Sequence, residues 1–487
     1  MKKNIIYTLG LSLALVACDS YLDLEPKGSS VLNTTGDYLG LIENTGGFPF
    51  DSEFYMCGEA TFNNASMIPT YTYPLISCAT LWDESFDRTP YMPEGSATSI
   101  YHACYEEIAK YNMVIDNMND ADGPESDKKL GIAQAKILRA YNYFVLINTY
   151  AKPYDPATAE TERGIILREK FNLEDEGTQS TVADAYRLIN QDIEDALSNL
   201  PHRALNNFRP DKAFGLALKA KVLLYQRQID LALQAALDAI EEAEKNGGHK
   251  IWDMNPAYNE AVSMFAPMYG EENIVYDGEK YSSFRSMSQS MFWGKEYDNP
   301  ENLFYAHGIN ATSPYPSLIR KEIAVLFDPE SDLRYTFFLG TMPSRSQAEE
   351  GSVSVYNQAL RWNCGGIKLT EVYLMAAECY ARKGDKTNAM KYVNTVRKNR
   401  IMTAAYEDLT ATDANDAMTK VRQERTRELM LTSNGFFDMR RFCTEFNETQ
   451  TRQYEGSTYT LSPGSHLLIY PFPLSAVQNS NLTQNSK

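Results

Sequence analysis

Apolar residues recur at intervals of three and four positions in five segments of this chain. The segments span residues 97–118, 132–150, 182–200, 213–225 and 229–245. These intervals place the apolar side chains on one face of an α-helix, so each segment is predicted to be helical. Capping and stop residues flank the segments: Ser180 and Thr181 before the third, and Pro153, Pro201 and Gly247 after the second, third and fifth.

The hairpin formed by the last two segments has a second copy further along the chain. Leu216, Ala220, Ala232, Ala236 and Ala239 match, at identical spacing, Tyr373, Ala377, Ala389, Val393 and Val396. Small residues at these positions let two antiparallel helices approach closely. The repeat resembles a degenerate tetratricopeptide pattern, and about four such helix pairs are expected along the chain. Two unrelated amphipathic hairpins are the alternative.

The helical periodicity fails in two long regions. Residues 46–95 and 252–363 are rich in Gly, Pro, Asn, Ser and Tyr. The sequence therefore predicts an all-α, tetratricopeptide-like scaffold with little β-structure and two long, aromatic-rich loop regions. Loops on rigid scaffolds are where ligands usually bind.

The start of the chain has the pattern of a lipoprotein leader. Lys2 and Lys3 precede an apolar run from Ile5 to Val16, which is too short to span a bilayer, and Cys18 follows a small residue. We expect a signal peptide over 1–17, a lipid on Cys18 and a tether over 18–30. Parts 31–250 and 251–487 are expected to form one compact unit. An ordinary signal peptide with a chance cysteine is the alternative.

The charge and the cysteines limit the possible functions. Against 46 basic residues stand 64 acidic ones, a net charge of −18, so nucleic acid and anionic lipid surfaces would be repelled. The six cysteines after Cys18 form no C-x-x-C motif, which argues against a zinc knuckle or a disulfide framework. A Cys57–Cys78 bridge remains possible in an oxidising compartment.

No catalytic, metal or cofactor site is predicted. The five histidines are scattered and no H-E-x-x-H, P-loop or G-x-S-x-G motif occurs in a suitable context. Glu424, Arg425 and Glu428 have helical spacing and could suggest acid–base chemistry. We interpret them instead as ion pairs that tie their helix to the segment bearing Asp438, Arg440 and Arg441.

Aromatic residues in the loops are the candidates for ligand binding. A sugar ring offers an apolar face and a rim of hydroxyl groups, so its binder needs a flat aromatic ring beside Asn, Asp or Arg. Two clusters have this chemistry, and core packing is the alternative for every member. The candidates are Trp82, Asp83 and Arg88 in the first cluster, Trp293, Tyr297 and Asn299 in the second, and Tyr73, Trp252 and Tyr281 nearby.

Several ordered motifs resemble the SusD/RagB family, the nutrient-binding lipoproteins that partner TonB-dependent transporters in the Bacteroidota outer membrane. The similar segments are 18–26, 135–144, 367–378, 424–442 and 471–485, with a weaker match at 316–334. Lys368 and Ala476 depart from the usual Arg and Glu of these motifs. The family's ligand-binding residues are not a fixed motif, so none is carried over by name.

The resemblance implies a lipid-anchored protein of the outer membrane that faces the cell surface and binds an oligosaccharide. It would cover a TonB-dependent, SusC-like transporter and deliver the oligosaccharide to it, without a cofactor and without enzyme activity. Two alternatives stay open. A peptide-binding, RagB-like protein would use the same scaffold and transporter, and a glycan-cleaving enzyme would need a placed pair of carboxylates.

Overall fold

A computed structural model gives the structure of the chain. It describes residues 32–43, 74–95, 99–172, 177–271, 274, 284, 298–306, 318–341, 353–355, 363–430 and 432–485. The predicted signal peptide, the tether with Cys18, and Cys57 lie outside these residues, so the leader, the lipid and the Cys57–Cys78 bridge remain predictions.

Five helices of the first half follow the apolar periodicity, whereas the expectation of a loop region over 46–95 is wrong at the helix Pro74–Leu81. Thr181 caps α5 as expected: its side chain accepts a hydrogen bond from the Asp184 amide, and the Asp184 carboxylate accepts one from the Thr181 amide. The helices are α1 Thr35–Ile42, α2 Pro74–Leu81, α3 Ile100–Asn117, α4 Glu125–Tyr150, α5 Val182–Leu197, α6 Lys212–Tyr225 and α7 Ile229–Glu241. A short π-helical turn, Glu242–Asn246, continues α7.

The predicted pair of repeated hairpins is present. The second copy consists of α11 Leu369–Arg382 and α12 Lys386–Arg397, and it lies beside the first because α7 packs on α11. The matched small residues Ala220, Ala236 and Ala377 are buried where the helices approach. Both hairpins turn through a left-handed residue, Arg227 with φ 61° and Gly384 with φ 81°.

The second half contains more regular structure than its sequence pattern predicts. The expectation of a loop region over 252–363 is wrong at α8, Met254–Tyr269, a helix of 16 residues. Its signal is weak because Met264 and Met268 are exposed and Pro267 lies inside the helix. The remaining helices are α9 Lys321–Ala324, α10 Leu333–Phe338, α13 Ala414–Leu429, α14 Asn434–Glu445 and α15 Leu474–Gln478.

The strands are short and antiparallel, as expected for a helical protein. β1 pairs with β2, β3 with β7, β6 lies between β4 and β5, and β8 forms a hairpin with β9. Their bounds are β1 Arg163–Ile166, β2 Gln179–Thr181, β3 Asn302–Phe304, β4 Leu318–Ile319, β5 Leu339–Thr341, β6 Val353–Val355, β7 Ile367–Lys368, β8 Gln450–Tyr454 and β9 Ser457–Leu461.

The core is centred on α4, which is buried on almost every side from Ala133 to Tyr150 and packs against α3 and α5. Arg139 of this helix is also buried, and its guanidinium binds the Asp192 carboxylate of α5 through two hydrogen bonds of 2.7 Å. One apolar cluster extends from Tyr38 to Leu482, so both ends of the described chain pack on the same core. The division at residue 250 stays a prediction.

Candidate functional site

The loop 82–95 connects α2 to α3 and carries the first cluster of predicted ligand residues. Trp82 ends α2 in a left-handed conformation, with φ 59°. The Asp83 amide then donates to the Cys78 carbonyl at 3.1 Å, a hydrogen bond typical of helix C-termini. A left-handed conformation costs a non-glycine residue about 1–2 kcal/mol. The burial of the Trp82 ring offsets this cost.

The Trp82 ring is enclosed by protein. Only 1% of the residue is exposed. The guanidinium carbon of Arg452 lies 3.7 Å from the ring centroid, and that of Arg320 lies 5.6 Å from it. Arg452 also donates to the carbonyls of Ala79 and Thr80, which fixes it against α2. The structure thus places Trp82 in the interior, as the packing alternative describes, with its face covered by a cation.

Arg88 fastens the loop to the C-terminal segment. Its Nη2 donates to the carbonyls of His466 and Ile469 at 2.8 Å each, and its guanidinium lies 5.8 Å from the centre of the Tyr470 ring. Asp83, which is half-buried, accepts two hydrogen bonds from Ser85 and shapes the turn that follows α2. Arg88 therefore fixes the position of the loop, and its guanidinium is engaged by these contacts rather than available to a ligand.

An aromatic pair on the same loop is partly exposed: Phe86 is half-buried against the core, and Tyr91 is exposed. Phe86 and Tyr91 stack with their ring centroids 5.3 Å apart and an angle of 29° between the planes. Tyr91 is 41% exposed and ends the short helical turn Thr89–Tyr91. The exposed carboxylate of Asp87 lies between the two rings in sequence. This arrangement combines a flat apolar surface with nearby acceptors, which is the chemistry that a sugar requires.

The sequence only weakly indicated that Phe86 and Tyr91 form a surface for a ligand. Tyr91 has no tryptophan beside it, and it ends a helical turn that contains Pro90. Trp82 is the predicted ligand residue because Asp83 and Arg88 are near it in the sequence. Burial decides between the two residues, and the local sequence does not encode it.

The second cluster is described only in part. Asn299 is buried, and its Oδ1 accepts a hydrogen bond from the Glu301 amide at 3.0 Å. Trp252 is half-buried beside it, where its amide donates to the Glu301 carboxylate. The remaining candidates lie outside the described residues, and their ligand contacts stay predictions: Tyr73, Tyr281, Trp293 and Tyr297.

Glu424, Arg425 and Glu428 form buried ion pairs, but their partners differ in part from those expected. Arg425 pairs with Asp438 at 2.7 Å, as predicted. Glu424 and Glu428 instead face away from that segment and bind Arg334, at 2.8 and 3.1 Å. The reason is the helical spacing: Arg425 points to a different side of α13 from Glu424 and Glu428.

The electrostatics of this cluster keep its carboxylates ionised. Burial alone would raise the pKa of Glu428, but the guanidiniums of Arg400 and Arg334 outweigh it and lower that pKa to about 2. Burial raises the pKa of Glu301, although Arg400 pairs with it at 2.5 Å. A carboxylate that is enclosed and paired in this way holds the fold together and has no open path to a substrate.

Within the described residues, no three His, Cys, Asp or Glu side chains come together in a way that could hold a metal ion. No helix in the same part of the chain has both the length and the apolar character needed to cross a membrane.

Comparison with known proteins gives matches in both halves of the chain. A family described as "Starch-binding associating with outer membrane" matches residues 55–224, and the SusD family matches residues 349–486. SusD-like protein P25 of Formosa agariphila is 22% identical over 420 residues, which cover 79% of this chain and 77% of that protein.

Solved structures share the fold. A SusD superfamily protein from Bacteroides thetaiotaomicron has a TM-score of 0.67 at 17% identity, over 93% of this chain and 100% of that one. A laminarin-binding SusD-like protein has a TM-score of 0.59 at 18% identity, over 93% of this chain and 99% of that one. The two family matches and the curated relative together support a SusD/RagB family protein, and the solved structures share its fold.

Proposed function

We propose that this protein is a surface lipoprotein that captures an oligosaccharide and delivers it to a TonB-dependent, SusC-like transporter of the outer membrane. The observation that carries the proposal is the ordered pair of family matches. The first match, to a family described as starch-binding and associated with the outer membrane, includes the whole loop 82–95. Anchoring through Cys18 and exposure at the cell surface belong to the same proposal.

The aromatic pair of the loop supports a sugar ligand. Phe86 and Tyr91 offer a stacked, partly exposed surface, and Asp87 lies between them in the chain. The laminarin-binding relative and a putative sugar-binding protein from Bacteroides vulgatus, whose TM-score is 0.64, share the scaffold. We propose that Tyr91 and Phe86 bind ligand together with Asp83 and the loop aromatics Tyr73, Tyr281, Trp293 and Tyr297.

In this proposal the protein binds without cleaving. Several buried carboxylates of the described core are paired with arginines, as in Glu424 with Arg334 and Glu378 with Arg441, and buried Glu371 is paired with Lys221. Import then needs energy from the transporter. Captured ligand would pass from the loop region into the transporter, with the helical scaffold holding the loop in place.

The proposal is tested by titration calorimetry with neutral oligosaccharides such as maltoheptaose and laminarihexaose, and with a peptide digest as the competing ligand class. We expect a sugar to bind and to keep its length after prolonged incubation. Binding of peptides but no sugar would establish the RagB-like alternative. New reducing ends on a bound sugar would show that the protein is a glycan-cleaving enzyme.

A further inference from the structure

A groove with a volume of about 470 Å³ runs between α12 and the loop 403–412. One wall of the groove is formed by α12 and by the residue that follows it. The lining residues of this wall have intervals of one, three and four, so they share one face of the helix: Met390, Lys391, Asn394 and Lys398. The opposite face is buried in the core through Ala389, Val393 and Val396. We call this cavity the α12 groove.

The wall formed by the loop is fixed to the helix. The Asn394 side chain accepts a hydrogen bond from the Leu409 amide and donates one to the Leu409 carbonyl, both at 2.9 Å. The Tyr406 hydroxyl donates to the Asn394 carbonyl at 3.1 Å, and Arg397 donates to the Glu407 carbonyl at 2.9 Å. The α12 groove therefore has its shape before a ligand arrives, which lowers the entropy cost of binding.

The α12 groove is positively charged, although the chain as a whole is negatively charged. Lys386, Lys391 and Lys398 are exposed at the groove, and none of them forms an ion pair within the described part of the chain. Several lysines elsewhere are ion-paired, for example Lys245 with Glu241 at 2.6 Å. Asp408 also lines the groove and accepts a hydrogen bond from Tyr406 at 2.6 Å, and the three lysines outnumber this one carboxylate. On a chain of net charge −18, this groove attracts anions.

We propose that the α12 groove is a second glycan site, which binds an oligosaccharide segment bearing anionic groups, either uronate carboxylates or sulfate esters. This inference rests on the proposed function and places its site away from the loop 82–95. Leu409 and Ala411, both half-buried, supply the apolar surface for the C–H face of a sugar ring, since Met390 is itself buried. Thr387 and Thr395 supply hydroxyl groups for the rim, and the three ammonium groups supply the charge.

The size of the groove favours a sugar over a protein partner. Its volume lies within the range of small-ligand sites, roughly 300–1,000 Å³. A stable protein interface uses about 20–30 residues on each side. Twelve residues line the α12 groove, which is enough for a short oligosaccharide segment and too few for such an interface.

The test compares three ligands of equal length by titration calorimetry of the whole purified protein: trigalacturonate, a sulfated galactotriose and neutral galactotriose. The variant Lys391→Gln/Lys398→Gln removes two charges from the groove. The control Lys152→Gln/Lys245→Gln removes two charges from exposed, ion-paired lysines elsewhere. Melting curves confirm that each variant is folded.

We expect at least one anionic ligand to bind about tenfold tighter than neutral galactotriose. This advantage should disappear in the groove variant, persist in the control, and weaken as NaCl rises from about 50 to 500 mM, because salt screens exposed charges. The carboxylated and sulfated ligands show which anion is preferred. Equal affinity of the wild type and the groove variant for both anionic ligands would overturn the inference.

Two further outcomes separate this inference from the proposed function. If neutral sugars bind through Tyr91 while the groove lysines have no effect on any ligand, the inference fails and the proposed function stands. If no sugar binds at either site, both fail. Binding of a hepta-glutamate peptide that depends on Lys391 and Lys398, without binding of either anionic sugar, would reassign the groove to an acidic protein segment and overturn the inference.

Discussion

At the scale of single residues, Trp82 and Tyr91 show how burial divides the roles of two aromatic side chains in one loop. Trp82 is 1% exposed and lies against Arg452, whereas Tyr91 is 41% exposed and stacks on Phe86. A buried ring stabilises the fold by packing. An exposed ring that stacks on a neighbouring ring can bind a ligand in place of water, and this changes the stability of the fold little.

Replacing each ring by alanine should separate these roles. Tyr91→Ala should weaken binding of the cognate neutral sugar by about tenfold, since it removes a stacking surface worth about 1–2 kcal/mol. Its melting temperature should stay close to that of the wild type. Trp82→Ala should lower the free energy of unfolding by about 3–5 kcal/mol, the usual cost of truncating a buried aromatic residue.

Titration calorimetry and a melting curve for both variants check this prediction. Tyr154→Ala is a control for non-specific effects on affinity. It removes a half-buried tyrosine that packs edge-on against Tyr186 and is distant in sequence from the loop 82–95. Unchanged affinity in Tyr91→Ala would remove this residue from the proposed site. A Trp82→Ala protein of normal stability and weakened affinity would restore Trp82 as a ligand residue.

At the scale of elements, the helices are joined by buried ion pairs as well as by apolar faces. Glu378 of α11 binds Arg441 of α14, while Glu424 and Glu428 of α13 bind Arg334 of α10. Burial opposes ionisation of each glutamate, but the neighbouring guanidiniums outweigh burial and lower the pKa of all three carboxyls. Breaking such a pair leaves an enclosed charge without its partner.

The stability of the protein should therefore depend on pH in the acidic range. A carboxyl whose pKa is lowered by folding stabilises the folded state above its unfolded pKa, about 4.3 for glutamate. This contribution is lost as the pH falls through the pKa that the carboxyl has in the folded protein, which is about 2 for Glu428. Glu301 acts in the opposite direction because burial raises its pKa, but the three lowered carboxyls outnumber it. The melting temperature should fall steadily below about pH 4.3.

Glu428→Gln should cost about 3–5 kcal/mol at pH 7, because Arg334 and Arg400 lose a buried counter-ion. The variant should also lose less stability than the wild type between about pH 4 and 2, since the titrating group is gone. Urea unfolding across this pH range measures both effects. Glu455→Gln, at an exposed turn, is the control and should change neither. Parallel pH profiles of wild type and Glu428→Gln would contradict the assignment.

At the scale of the whole molecule, the proposed function needs a helical scaffold that carries a lipid at its N-terminal end and a ligand-binding loop, residues 82–95. The scaffold is continuous, since one apolar cluster includes residues from α1 to the final segment. Arg88 ties the loop 82–95 to residues 466–469 across nearly the full length of the chain. Ligand capture should therefore need an intact C-terminal segment.

The anchoring part of the proposal predicts that Cys18→Ala leaves the protein without a lipid and releases it from the outer membrane. Membrane fractionation of cells lacking the transporter checks this directly, because the transporter itself could retain the protein. Ser20→Ala, two residues away, is the matched control and should remain anchored. A Cys18→Ala protein still found in the membrane would contradict lipid attachment at this residue. Protease treatment of intact cells then tests whether the anchored protein faces outward.

The sequence by itself determined the helices, the repeated hairpins and the family, because these depend on local periodicity and on motifs that are contiguous in the chain. It also indicated that Glu424, Arg425 and Glu428 form ion pairs. It missed α2 and α8, and in α8 the exposed Met264 and Met268 obscure the helical period.

The tertiary structure alone decided which arginines pair with Glu424 and Glu428, because Arg334 and Arg400 are distant in sequence. It also decided that Trp82 is buried while Tyr91 is exposed, since Arg320 and Arg452 approach the Trp82 ring from other parts of the chain. The α12 groove likewise exists because the loop 403–412 folds back onto α12. Local sequence fixes which face of an element is apolar, but contacts between distant segments fix which side chains remain available to a ligand.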